Sequence, residues 1–546
     1  MTETVADWII SFLEKQGIEY IFSHPGGSVL PFYEALRKAG SPKNVLVRHE
    51  GAGSFMADAY AKVTGKVGVC MSTMGPGAAN MVIGVATAMS DSTPLLAITG
   101  QMATDFFGRG YQQETDHNTL FRGITKASIQ LKQARSSLEV FERAYRIAIS
   151  PRTGPVHVDV PIDVSSSEIK IPRHLERLDH KEMGPAKEDD IEEASKLIAK
   201  AISPVLLVGG GAISSNASSV LKKFAETLSI PVATSYNGRG VIPEDHPLAL
   251  GRLGEYTPSY VRRIVSSADL LIAVGYRFTD VSIEGWKPSS DAKIIQIDID
   301  PSEIGKTNNV TIGLVGDAAR TLDALLRKVM KAEKSRENWL EQIKEARSNW
   351  KRAYSKVENS DSVPIKPQRV ISELVKAIGK DAIICSGAGR AKMWAASLIP
   401  IYRPRTWIHS GGYAPMGYEI PAAIASKLAR PSSLVISIGG DASFQMHSQE
   451  IATAVEYNAP FVGIVFNDIG LGSIKNLQLK RYEKTFGTEF HYDVDLAKVS
   501  EAFGGLGSTI TKPSEIKDAI DQAIRSDKPY ILNIKVDDSE IPLLDY

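Results

Sequence analysis

The sequence predicts an α/β protein of three doubly wound parallel-sheet domains, on three observations. Short β-branched runs alternate with helical periods along most of the chain, the pattern of parallel strands covered by helices. Glycine-rich or acidic turns recur at the carboxyl ends of those runs, where open parallel sheets bind ligands. Charged stretches near 165–187 and 332–359 divide the 546 residues into three parts, in line with roughly 150–200 residues per domain. The expected domains are 1–170, 187–330 and 363–546.

In the first part, 4–16 has helical spacing, and 19–22 reads as a strand ending in Ser23-His24-Pro25-Gly26-Gly27. A helix over 29–39 precedes a strand at 45–47 that ends at Arg48-His49-Glu50. A helix rich in small residues, 51–64, and a strand at 67–72 follow. Thr73-Met74-Gly75-Pro76-Gly77-Ala78-Ala79-Asn80 opens the next helix, and 95–99 is a further strand. Glu50, at a strand end in apolar surroundings, is either an acid–base group or a solvated or helix-capping acid.

The second part opens with a helix at 191–201 and a strand at 205–208 that runs into Gly209-Gly210-Gly211. Strands at 270–274 and 293–299 make this a Rossmann-like unit. A triple glycine after a strand hosts a nucleotide pyrophosphate or simply makes a tight turn. Over 332–359, Trp339, Ile343 and Trp350 fall at helical spacing within a dense charge run, which reads as a solvated surface helix.

The third part holds the stretch around which the rest is organised. A strand at 383–385 ends in Ser386-Gly387-Ala388-Gly389, and 407–412 leads to Pro415-Met416-Gly417. A strand at 434–438 meets Gly439-Gly440-Asp441-Ala442, a helix is expected at 449–455, and a strand at 461–466 runs into Asn467-Asp468-Ile469-Gly470. Asp441 and Asp468 can offer oxygen ligands to a hard divalent cation. Mg²⁺ takes one or two carboxylates and fills its other positions with phosphate oxygens and water. The glycine pair lets a phosphate approach the backbone, and amides at a helix start can face it. The alternative is two ordinary strand-to-helix turns with capping aspartates.

Lys+Arg and Asp+Glu both number 63, so net charge argues for neither nucleic acid nor an acidic membrane as partner. Cys70 and Cys385 lie in apolar runs and read as buried thiols in a reducing compartment. The acidic N-terminus is unlike a signal peptide, and no apolar run reaches a membrane span. The expected location is the cytoplasm. No Gly-x-Gly-x-x-Gly turn with a ribose acid follows a strand, which disfavours an NAD-dependent dehydrogenase.

Residues 22–30 (FSHPGGSVL), 48–65 (RHEGAGSFMADAYAKVTG), 73–80 and 86–101 (ATAMSDSTPLLAITGQ) resemble the pyrimidine-binding domain of acetolactate synthases and their thiamine-diphosphate relatives. Gly440-Asp441-Ala442 and Asn467-Asp468, with 24 residues between them, resemble the family's diphosphate motif. The resemblance covers essentially the whole chain. It implies thiamine diphosphate and Mg²⁺ as cofactors, with Asp441, Asp468 and the Gly470 carbonyl as metal ligands. Glu50 is implied as the carboxyl at the pyrimidine N1′, and Met416 as the apolar wedge beneath the cofactor. Gln113 is implied to orient a bound carbonyl, its alternative being an exposed loop amide. His24 is either a proton-transfer or carboxylate-binding residue, or a capping histidine. The implied cofactor-binding set is Gly26, Thr73, Gly75, Pro76, Asn80, Gly389, Met416, Gly440, Asp441, Ala442, Ser443, Asp468, Gly470, Leu471, Gly472, Ser473 and Ile474.

In the family the middle domain binds an FAD that is idle in the main reaction; Gly209, Gly210, Arg277 and Asp298 match positions that would touch it, with ADP or an empty site as alternatives. The resemblance also implies a homodimer or homotetramer with active sites at the subunit interface, and a small regulatory subunit. The expected reaction is decarboxylation of pyruvate and ligation to a second 2-oxo acid, giving acetolactate. The alternatives are a 2-oxo acid decarboxylase, a 2-hydroxyacyl-CoA lyase, a flavin-dependent pyruvate oxidase or, least in keeping with the site residues, a non-enzymatic binding module.

Several positions depart from the family pattern. Ala442 stands where a glycine is usual, Asp468 where the second asparagine is, and His24 where a tyrosine is common. Ile162 replaces a lysine, Arg390 and Ala391 a glutamine and a histidine, and Leu477 a tryptophan that selects the acceptor. Glu255-Tyr256-Thr257 replaces a Met-His-Gly segment.

Overall fold

Buried runs such as Pro204–Val208 and Leu270–Val274 are apolar on both faces of their sheet, as strands covered by helices on both sides must be. The computed structural model describes residues 3–170, 176–178, 183–254, 256–279, 285–329 and 335–542. Glu255, parts of the first linker and the start of the second lie outside the described residues.

Among the described residues, three six-stranded sheets carry the fold, and their strands pair in parallel throughout. With the strands of each sheet numbered in chain order, the middle sheet runs 3-2-1-4-5-6, the Rossmann order. The first and third sheets share a different order, 2-1-3-4-6-5. In both, the chain reverses direction across the sheet between strands 1 and 3. In the first sheet that switch point separates the turn after Tyr20–Ser23 from the turn after Gly68–Ser72. In the third it separates the turns after Ile383–Ser386 and Val435–Gly440. The segments singled out in the sequence therefore sit where ligands bind in such sheets.

Six strands of these sheets, Ala127–Gln130, Val232–Thr234, Ala249–Arg252, Ile312–Val315, Leu506–Ile510 and Tyr530–Lys535, were not expected, and three of the expected readings change. The second strand is Lys43–Leu46, so Arg48-His49 form a longer approach to Glu50 than expected. No loop follows Gly440. A short helix, Asp441–His447, begins at the aspartate itself, and a second helix, Glu450–Glu456, follows; an acid in a first turn suits the helix dipole. The charged run near 332–359 is not a fully solvated face. Its helix, Glu337–Tyr354, buries Trp339 and Ile343, and Trp339 Nε1 donates to the Pro204 carbonyl at 3.3 Å.

The first and third domains share one hydrophobic core, to which Phe22, Phe55 and Tyr60 contribute from one side and Cys385, Tyr418 and Ile424 from the other. Small residues permit it. Ala52, Ala57 and Ala59 on Glu50–Thr64, and Ala422, Ala423 and Ala425 on Glu419–Ala429, are fully buried. A buried polar cluster joins the middle domain to this contact. Lys62 pairs with Asp58 and Asp91 at 2.8 Å each, Tyr418 donates to Asp58 at 2.6 Å, and Asn237 donates to Asp91 at 3.1 Å. Cys70 and Cys385 are free, buried thiols, pushed up to about 12 by burial. Among the described residues, no helix is long and apolar enough to cross a membrane.

Candidate active site

Asp441 and Asp468 follow adjacent parallel strands, in register at Gly440 and Phe466. Asp441 is 3% exposed. Its Oδ2 accepts the Gly470 amide at 3.1 Å, and its Oδ1 is buried with no partner. Burial, then the neighbouring Asp468, holds the Asp441 carboxyl well above the usual carboxylate range. A buried oxygen without a donor, facing a second acid, is what a cation would satisfy, so these residues fit a divalent ion. Gly470, whose carbonyl is the expected third metal ligand, donates its amide to Asp441. Asn467 turns inward, donating to Asn533 Oδ1 at 2.9 Å and accepting the Ile469 amide at 3.2 Å. Ile469 itself lies at φ +56°, a conformation that costs a β-branched residue and persists only where its surroundings enforce it.

The other residues expected at the diphosphate end surround this pair. Gly389, at φ +86°, caps the helix Arg390–Leu398. Ala442 is half-buried beside Asp441. The Ser443 hydroxyl is already engaged, accepting the Gly417 amide at 2.7 Å and donating to Glu419 Oε2 at 2.8 Å. Leu471, Gly472, Ser473 and Ile474 lead into and open the helix Gly472–Tyr482, which buries none of its residues. Met416 is half-buried in the turn just before Gly417.

At the other end, Glu50 is the first residue of Glu50–Thr64, and the His49 side chain caps that helix by accepting the Gly51 amide at 3.0 Å. Glu50 Oε2 accepts from Asn80 Nδ2 at 2.9 Å. His24 Nδ1 donates to the Val47 carbonyl at 2.8 Å, which leaves Nε2 as its free nitrogen. Gly26 is glycine because a Cβ there would lie 2.4 Å from Thr73 Cβ. Gly75 adopts φ +60°, ψ −111° ahead of Pro76, and a Cβ on it would lie 2.6 Å from the Gln113 carbonyl. Gln113 meets the site through this backbone contact, while its side chain is exposed.

Sequence reasoning missed two features here. One ties Glu50 to the third domain: the Arg48 amide donates to Glu450 Oε1 at 2.9 Å, the His49 ring lies 5.6 Å from that of His447, and His447 Nδ1 donates to the Gly417 carbonyl at 3.0 Å. The other lies under the Gly75 turn. The Gly75 amide donates to His117 Nε2 at 3.0 Å, and His117 Nδ1 donates to Asp159 Oδ1 at 2.8 Å. His117, His157 and Asp159 are close enough together to hold a metal ion, but Thr99, Ser128 and Gln130 already occupy their remaining polar atoms. The signal for this cluster was the polar pair inside the apolar strand Pro155–Pro161.

The four residues expected at FAD are engaged within the chain. A Cβ on Gly209 would lie 2.0 Å from the Gly275 carbonyl oxygen, and one on Gly210 3.0 Å from Asn237 Cβ. Arg277 donates to the Ser90 carbonyl at 2.8 Å, and Asp298 accepts the Asp300 amide at 3.0 Å. The triple glycine thus packs closely on Gly275 and Asn237.

Comparison with protein-family models matches residues 3–120 to the N-terminal TPP binding domain of thiamine pyrophosphate enzymes, 191–325 to their central domain and 387–534 to their C-terminal TPP binding domain. The chain is 41% identical to a probable acetolactate synthase large subunit of Methanocaldococcus jannaschii, over 98% of this chain and 92% of that protein. It is 37% identical to the acetolactate synthase large subunit of Corynebacterium glutamicum, over 98% of this chain and 87% of that protein. It is 35% identical to the acetolactate synthase isozyme 3 large subunit of Escherichia coli, over 98% and 95%.

Proposed function

Because the chain belongs to the acetolactate synthase large-subunit family of thiamine-diphosphate enzymes, we propose that it decarboxylates pyruvate and ligates the two-carbon unit to a second 2-oxo acid, giving acetolactate. The observation that carries the reading is the convergence of Asp441 and Asp468 at adjacent strand ends, with Asp441 Oδ1 buried and unpartnered.

Bound thiamine diphosphate supplies an electron sink that lets a 2-oxo acid lose CO₂. The chain's residues do the rest. Asp441, Asp468 and the Gly470 carbonyl would hold Mg²⁺, and the turns at Gly389, Gly440–Ser443 and 471–474 would hold the diphosphate. Glu50, oriented by Asn80, holds and returns the proton exchanged at the pyrimidine. Met416 would supply the apolar support for the cofactor rings. His24 offers its free Nε2 to the substrate carboxylate or to a proton in transit, and Gln113 orients the carbonyl.

The helix Gly472–Tyr482 exposes Ile474, Leu477, Leu479 and Tyr482, an apolar face suited to burial against a second copy; we take the enzyme to be a homodimer or homotetramer. The relatives are named large subunits, and a small regulatory subunit and a cytoplasmic location belong to the same reading. So do domain limits of 1–170, 187–330 and 363–546, which limited proteolysis would test. FAD in the middle domain has only the family likeness behind it, and the visible absorbance of the purified protein decides it.

The test is product analysis with pyruvate as sole substrate, with thiamine diphosphate and Mg²⁺ added. Acetolactate with CO₂ is expected. Acetaldehyde would replace the reading with a simple decarboxylase, and no consumption of pyruvate would reject it as the donor.

A further inference from the structure

Arg390 is in an unfavourable place for a cation. It is the first residue of Arg390–Leu398, where the helix dipole disfavours positive charge. Its side chain is 8% exposed, so it has also given up most of its hydration. Its contacts explain the position. One arm pairs with Asp468 Oδ2, and the other donates to the carbonyls of Asp538 at 2.5 Å and Glu540 at 3.3 Å. Gly472 marks how tightly the pair is held. A Cβ there would lie 2.3 Å from Arg390 Nε and Nη2 and from Asp468 Oδ2.

Arg390 and Asp468 are 78 residues apart in sequence, and each departs from the family pattern. Their contact makes the two departures one change. The acid adds a negative charge beside Asp441, and the guanidinium cancels it. With Asp468 paired, Asp441 alone faces a cation with uncompensated charge.

We propose that Arg390 is a resident counter-ion that withholds Asp468 from free metal ions, so that the divalent cation binds together with the diphosphate rather than ahead of it. Arg390 is a positioning residue in this account, acting through Asp468. The proposal rests on Asp441 and Asp468 forming the cation site. A site of two uncompensated carboxylates would capture a divalent ion alone. One acid plus an ion pair captures it weakly, until diphosphate oxygens supply further ligands and a charge for the guanidinium to face.

The test is Mn²⁺ binding, read by electron paramagnetic resonance of the free ion, with no cofactor present. Arg390→Gln is expected to bind Mn²⁺ about tenfold or more tighter than the unmodified protein, because removing one partner frees the other's charge. The double variant R390Q/D468N is expected to return to within about threefold of the unmodified protein, the signature of a coupled pair. General damage to the fold would weaken Mn²⁺ binding instead. An unchanged or weaker affinity in a folded R390Q overturns the proposal, as does a double variant that binds as tightly as R390Q. Should R390Q not fold, the double variant, which buries no unpaired charge, is compared with D468N. D468N, whose freed guanidinium repels a cation, is then expected to bind Mn²⁺ at least about tenfold more weakly than the double variant, and equal affinities overturn the proposal. Asp441→Ala separates the two readings: if it still takes up Mn²⁺ normally in the presence of thiamine diphosphate, the cation site is elsewhere, whatever Arg390 does.

Discussion

His117 Nε2 accepts the backbone amide of Gly75 at 3.0 Å. The bond fixes the tautomer. Nε2 carries no proton, and Nδ1–H points to Asp159. It also anchors a turn whose φ of +60° only glycine adopts easily. His117→Phe leaves a buried amide and a buried carboxylate without this partner, so a loss of about 1–3 kcal/mol is expected in urea unfolding. Cofactor affinity should fall as well, because the Gly75 turn loses its anchor. Unchanged stability and unchanged affinity would remove His117 from this role.

Glu50→Gln retains an amide that Asn80 can still meet, but it cannot exchange a proton. Turnover is expected to fall by about 10²–10⁴-fold, with thiamine diphosphate affinity nearly unchanged. Titrating the cofactor against intrinsic fluorescence and measuring pyruvate consumption on the same sample separates binding from catalysis. A rate equal to that of the unmodified enzyme would exclude the assigned role.

Asp441→Ala removes the acid whose Oδ1 has no partner in the fold. Mg²⁺-dependent cofactor binding is expected to weaken at least about 100-fold, since removing even an outer-shell partner of a metal ligand costs roughly 10–100-fold. Calorimetric titration with and without Mg²⁺ is the check. Equal affinity with and without the metal in the unmodified protein would count against the site.

Glu419 gives a pH prediction. It is fully buried with Oε1 unpartnered, and burial raises its carboxyl from 4.5 to about 7. The folded state therefore holds this proton more tightly than the unfolded chain. The associated stability is complete below the unfolded value and is lost as pH rises through about 7. A rise of that size corresponds to about 3 kcal/mol. Glu419→Gln cannot ionise, so its stability relative to the unmodified protein should improve between pH 5 and pH 8. Denaturant midpoints at the two pH values check it, and a constant difference between the two proteins would contradict it.

The strands that were legible are short apolar runs closed by a turn, since a buried parallel strand has little other choice of composition; Ala127–Gln130 and Leu506–Ile510, only partly buried, lack that signature and were not read. Asp441, Asp468 and Glu50 were legible because ligand groups gather at the ends of such strands. Other relations depend on which strands are neighbours, which local pattern does not encode. His117 links Gly75 to Asp159 because the strands Gly68–Ser72 and Pro155–Pro161 flank Leu95–Gln101 in one sheet. Arg390 meets Asp468 only because the turns after three strands of the third sheet converge. The common strand order of the first and third sheets was invisible for the same reason: topology is kept by the hydrophobic pattern, and many sequences satisfy one pattern. The helix within 332–359 was misjudged because its two buried positions, Trp339 and Ile343, are diluted among charges.

The core shared by the first and third domains changes what counts as a unit of the protein. A sequence cut at its linkers suggests modules that could be expressed, swapped or melted one at a time. Yet Ala57 and Ala59 of one domain lie in the same apolar interior as Ala422 and Ile424 of the other, and Lys62, Asp58 and Asp91 are buried at the same junction. Separating the two would expose an oily, small-residue face and leave charges facing a vacated surface. Calorimetrically, the two ends of the chain should behave as a single melting body, with the middle sheet the one segment that could loosen on its own.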